Sequence, residues 1–175
     1  MVLELMNAGN LRQYLDKKKD RMITVVNYTT LEIIWILVLA LRDLHCRGVV
    51  HGDLKSLNVL LCSVNYIKLA DFGISQVVQM RMANYIGTTA WTAPEVRTSA
   101  TAYSYASDVY SLGVILTELV TLDPPSGLVQ CPVISDNCPP WLHEIIFGCL
   151  QHDPSHRPTA EEIVIQLTPY VHARP

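Results

Sequence analysis

A chain of 175 residues, half of them apolar and 17% charged, has enough apolar material for one cored domain and is not the composition of a disordered chain. The net charge is −3 and the only basic run is Lys17-Lys18-Lys19, which reads as a solvated helix face and gives nucleic-acid binding little support. The five cysteines are odd in number with no C-x-x-C pair, which argues against a disulfide framework or a zinc site and fits a reducing compartment.

In chain order, "MVLEL" (1–5) reads as the end of a strand, with no basic region of the kind that opens a signal peptide. "MNAGN" then turns the chain on Gly9 and Asn10, and Leu11, Tyr14 and Leu15 follow at helical spacing. "TTLEIIWILVLALRDLHCRG" (29–48) predicts a long helix, apolar nearly all round and therefore central, started by Thr29 or Thr30 and ended by Gly48. Its longest apolar stretch, Ile33 to Leu41, is nine residues. A membrane span needs about 20, so this is a buried helix.

"YIKLADFG" (66–73) predicts a short strand and a turn, and 74–95 a long irregular loop of the kind that is usually functional or disordered. "SDVYSLGVILTELVT" (107–121) predicts a second apolar helix capped by Ser107. Residues 122–140 hold five prolines and a glycine, the composition of an extended connector. Helices follow over 140–150 and 159–167, the latter opened by a Thr159/Glu162 capping box. The expected fold is mainly α, a helical bundle with a few short β-strands near its start.

Between two apolar runs lies "VVHGDLKSLNVLL" (49–61), where histidine, aspartate, lysine and asparagine crowd together. Polar groups buried without partners cost free energy, so these either satisfy one another or face a site. Four blocks line up in order: "HGDLKSLN" (51–58), "DFG" (71–73), "GTTAWTAPE" (87–95) and "HRPT" (156–159). Each is weak alone; the ordered set is specific. From "VLELM" to "RPTAEEI" the chain resembles the larger, C-terminal lobe of a eukaryotic protein kinase, whose catalytic loop, D-F-G and A-P-E blocks these match.

The resemblance implies a protein serine/threonine kinase that uses ATP and Mg²⁺ on a protein substrate, in the cytoplasm. Positioning and charge neutralisation are the work of such a site. Asp53, Lys55 and Asn58 would be catalytic, with Asp53 taking or orienting the proton of the substrate hydroxyl and Lys55 sitting against the γ-phosphate. Asn58 and Asp71 would hold Mg²⁺ through hard oxygen ligands. The first residues would be the hinge between lobes: Leu3 the gatekeeper, Glu4 and Met6 offering backbone contacts to adenine, Leu60 closing the purine site from below. An edge strand over the same residues predicts core contacts only. His51 reads as structural, packed beneath Asp71. Glu95 with Arg157 resembles a buried ion pair, and Asp108 the helix aspartate that holds the catalytic loop from below. Lys55, two residues after Asp53, and Thr88 favour serine/threonine specificity of the tyrosine-kinase-like group.

Three departures qualify the match. Gly52 replaces the loop arginine that pairs with an activation-loop phosphate, so ordering of 74–95 should depend less on modification of Tyr85, Thr88 or Thr89. No G-x-G occurs among the eight glycines, and none of the five lysines lies in an upstream strand, so an upstream small lobe is expected in the full-length protein and Met1 reads as an internal methionine. The connector at 122–139 is too proline-rich for the helix relatives place there. The alternative is a catalytically inactive, pseudokinase-like binding or scaffold fragment.

Overall fold

A computed structural model describes residues 4–64, 66–71, 76–77, 90–99, 103–125, 134 and 138–172. Six α-helices are present among them: α1 (Leu11–Lys19), α2 (Thr30–Cys46), α3 (Pro94–Ser99), α4 (Tyr105–Thr121), α5 (Pro140–Cys149) and α6 (Ala160–His172). The strands β1 (Val49–Val50), β2 (Val59–Cys62), β3 (Tyr66–Leu69) and β4 (Gln76–Val77) form two antiparallel pairs, β1 with β4 and β2 with β3. The fold is mainly α, as expected, but its strands lie in the middle of the described chain. Leu3 falls outside the described residues, and Glu4 and Leu5 are in no strand.

The helices start where short polar side chains satisfy orphan N–H groups. Asn10 caps α1 and Thr29 caps α2, each in a reciprocal box with the residue three positions on. Gly48, just past α2, has φ +76°, a backbone that glycine adopts without Cβ strain. Two boundaries differ from expectation. α4 is capped by Ser104, three residues before the expected cap Ser107, because Ser107 is the other half of that capping box. α6 opens on the Thr159/Glu162 box and continues through Pro169 to His172 instead of ending at Leu167. The stacking of Tyr170 on Trp141, ring centroids 4.8 Å apart, holds the added turn.

The most enclosed element is α4, not α2. Val109, Tyr110, Leu112, Val114, Ile115, Leu116 and Leu119 bury all its faces, whereas Trp35, Ile36 and Leu39 leave one side of α2 half-exposed. α2 packs on α6 and α4, and α5 lies against α4. Gly113 permits that last approach: a Cβ there would sit 2.7 Å from the Cβ of Cys149. Of the expected 74–95 loop, Gln76–Val77 is paired as β4, and α3 begins at Pro94. Thr88, Tyr85, Thr89 and most of the 122–140 connector lie outside the described residues. Among the described residues, no helix is long and apolar enough to cross a membrane, and four cysteines are free.

Candidate active site

The polar loop 51–58 joins β1 to β2, and α4 holds its entry from below. Asp108, 1% exposed, accepts the backbone N–H of His51 at 2.8 Å and of Gly52 at 2.9 Å, and its Oδ2 lies 3.0 Å from His45 Nε2. A carboxylate is tolerated there because it sits in the first turn of α4, where the helix dipole and free N–H groups favour negative charge. This is the position the resemblance gave Asp108. Gly52 has φ +79°, so a side chain here would meet the left-handed penalty of roughly 1–2 kcal/mol.

Past Gly52 the side chains close on each other. Asp53 is 5% exposed, and its Oδ2 accepts from Lys55 Nζ at 2.6 Å and from Asn58 Nδ2 at 3.1 Å. The same Nδ2 donates to the Asp53 carbonyl at 2.8 Å. Both amide hydrogens of Asn58 are thereby spent on Asp53, which turns its oxygen to other partners. The 3₁₀ turn Ser56–Asn58 brings these groups round, closed by Asn58 N–H to Lys55 O at 2.9 Å.

Asp71 arrives from β3. The N–H of Ala70 donates to the Asn58 carbonyl at 2.8 Å, so the residue before Asp71 is bonded to the loop itself. Asp71 is exposed and has φ +64°, unusual for a non-glycine residue and a mark of a constrained site. The exposed Asp71 carboxylate and the Asn58 amide oxygen are hard-oxygen donors of the kind that suits Mg²⁺, carried on segments joined by the Ala70–Asn58 backbone bond. Phe72 and Gly73 lie outside the described residues.

His51 is fully buried beneath this cluster. Burial pushes its pKa below the usual histidine value, against the opposing pull of Asp108, the Ala70 carbonyl, Asp53 and Asp71. Its Nδ1 accepts the Asp53 N–H at 3.3 Å, which a neutral ring can do. The unfolded chain therefore takes up a proton near pH 6.5 that the folded chain resists. His51 contributes stability in full above about pH 6.5, and that stability falls as pH drops toward the folded pKa, by at most about 1.4 kcal/mol per pH unit. Urea midpoints measured above and below that window should drop more for the native chain than for His51→Gln; equal drops would remove His51 as the cause.

The hinge residues stand apart from the core. Glu4 is exposed and its carboxylate engages the Tyr66 hydroxyl and Lys68 Nζ. Leu5 is 80% exposed, contrary to an edge strand making only core contacts. Ala8 N–H donates to Leu61 O at 3.0 Å and Leu61 N–H to Gly9 O at 2.9 Å, which lays residues 8–10 along β2. Half-buried Met6 and Leu60 are thus carried by neighbouring segments.

Sequence reasoning missed Glu118, the one charged side chain in the second half of α4. It is 1% exposed and bonded to Arg12, Ser56 and Trp91. The available signal was its isolation: a lone acid between Leu116 and Leu119 needs partners from elsewhere.

The model of the protein kinase domain matches residues 1–167, and the chain belongs to that family. It is 36% identical over 97% of its length to the serine/threonine/tyrosine-protein kinase HT1 of Arabidopsis thaliana, and 33% over 93% to mitogen-activated protein kinase kinase kinase 1a of Physcomitrium patens. To a probable serine/threonine-protein kinase of Dictyostelium discoideum it is 32% identical over 96%. The chain spans 47%, 22% and 14% of those three relatives respectively.

Proposed function

We propose that residues 1–175 are the hinge and C-terminal lobe of a cytoplasmic protein serine/threonine kinase that moves the γ-phosphoryl group of ATP to a serine or threonine hydroxyl of a protein. The observation that carries this is the closed Asp53–Lys55–Asn58 cluster, with Asp71 delivered beside it through the Ala70–Asn58 bond. A non-catalytic scaffold has no use for all four.

Mg²⁺ and ATP, when bound, supply the electrophilic phosphoryl group and the charge that balances it. Asn58 and Asp71 would hold the cation through their oxygens. Lys55 and Asn58 occupy Oδ2 of Asp53, and we assign Oδ1 to the substrate hydroxyl, which it orients and relieves of its proton. Lys55, a point charge held on Asp53, would neutralise the phosphate that the hydroxyl attacks. Main-chain groups of Glu4 and Met6 receive adenine, with Leu60 beneath. An N-terminal lobe ahead of Met1 supplies the remaining phosphate contacts.

The relatives' names favour serine and threonine, and one adds tyrosine. The test is transfer of labelled γ-phosphate by the full-length polypeptide to matched serine, threonine and tyrosine peptides with Mg²⁺. Serine or threonine should be the faster acceptor. Faster tyrosine transfer overturns the specificity, and no transfer to any peptide by folded protein favours the scaffold reading.

A further inference from the structure

α4 carries two buried carboxylates ten residues apart, Asp108 and Glu118. Asp108 grips the entry of the catalytic loop at the His51 and Gly52 amides. Glu118 reaches its exit: Oε1 accepts the Ser56 hydroxyl at 2.8 Å and Arg12 Nη1 at 2.9 Å. The other oxygen, Oε2, accepts the indole N–H of Trp91 at 2.9 Å. Trp91 is tied to α4 a second time, since its carbonyl accepts the Ser111 hydroxyl at 2.8 Å.

One side chain therefore joins three parts of the molecule. Arg12 brings α1, and its other guanidinium bonds go to the Leu122 carbonyl at 2.7 Å and to Asp16. Ser56 brings the turn that sits between Lys55 and Asn58. Trp91 brings the segment that runs into Ala93-Pro94-Glu95. Buried ion pairs are poor stabilisers, and an apolar replacement of the same shape is often no worse. What such an acceptor adds is direction: it fixes where a hydroxyl and an indole N–H point.

We propose that Glu118 is a positioning residue for phosphoryl transfer, acting through Ser56 to hold the Asp53–Lys55–Asn58 cluster in register with the Trp91 segment. The proposal rests on the kinase reading above. It makes Ser56 and Trp91 partners in one constraint, although 35 positions separate them (91 − 56).

The test uses the full-length polypeptide. Ser56→Ala leaves the Arg12–Glu118 pair and the Trp91 bond in place and removes only the link to the loop. It should lower kcat about tenfold, the scale on which sub-ångström misplacement acts, while KM for ATP stays within about twofold. Ser56→Thr, which keeps the hydroxyl, should restore most of the rate. Trp91→Phe should lower kcat likewise, and should speed hydrogen exchange of the Asn58 amide, the N–H that closes the loop turn. Unchanged kcat in Ser56→Ala overturns the proposal, as does a loss confined to KM. Unchanged Asn58 exchange in Trp91→Phe overturns it too, and that measurement needs no turnover. A native protein that transfers nothing would sink the kinase reading, and the exchange result would still decide the coupling.

Discussion

On the proposed kinase reading, replacing Asp53 with asparagine should lower phosphoryl transfer by about 10²–10⁴-fold, the span that positioned proton acceptors contribute, and should leave the fold standing. The two halves of that expectation have separate causes. Transfer should fall because, in the role proposed for Asp53, a carboxamide would neither take the hydroxyl proton nor carry the charge that orients it. The fold stands because asparagine has nearly the same shape, and its carbonyl oxygen can still accept from Lys55 Nζ and Asn58 Nδ2. The Asp53 backbone contacts, N–H to His51 Nδ1 and carbonyl to Asn58, do not involve the changed atoms. Steady-state transfer and the urea midpoint, measured on one preparation of full-length protein, separate the two. Retained activity removes Asp53 from its role; loss of activity with a collapsed midpoint makes it a structural residue instead.

The parts of this site that could be read from the chain are those held by short spacings. Asp53, Lys55 and Asn58 lie within six positions, and a single 3₁₀ turn folds them together. Asp71 was legible as a motif, but its left-handed backbone was not, since aspartate alone does not announce φ +64°. Glu118 could be suspected as a lone acid in an apolar helix, yet its partners lie far away in sequence at Arg12, Ser56 and Trp91, and only tertiary packing selects them.

Secondary structure follows the same rule. The apolar runs located α2, α4, α5 and α6, whose burial patterns are local. The start of α4 shifted because Ser104 and Ser107 occupy the two ends of one capping box, and serine at either position looks like a cap. β4 escaped notice because two residues carry no period. Gln76–Val77 is a strand only through its pairing with Val49–Val50. The expected centrality of α2 went to α4 because hydropathy counts apolar residues and not what surrounds them.

The largest stability effect is expected at Arg157, whose side chain is 0% exposed. All five guanidinium N–H groups are spent. Two go to the Glu95 carboxylate at 2.8 and 2.7 Å, and three go to the carbonyls of Gln151, Ala106 and His152. The plane also lies 5.1 Å from the centroid of the Tyr110 ring. Arg157→Ala takes the bidentate partner from a part-buried carboxylate and a donor from each of three carbonyls, and should cost about 3–5 kcal/mol, the usual effect of breaking one side of a buried pair. Lysine should rescue little, because an ammonium has three donors and no planar fork. Glu95→Gln should cost less than either, since Arg157 keeps its three carbonyls and one amide oxygen. That ordering, alanine worst, lysine close behind and Glu95→Gln mildest, is what urea titration of the three variants measures. It distinguishes an ion pair valued for its charge from a guanidinium valued for its geometry. Equal losses for Arg157→Ala and Glu95→Gln would mean that the pair alone matters. The carbonyls at 106, 151 and 152, which join α4 to the turns after α5, would then be bonded equally well by water.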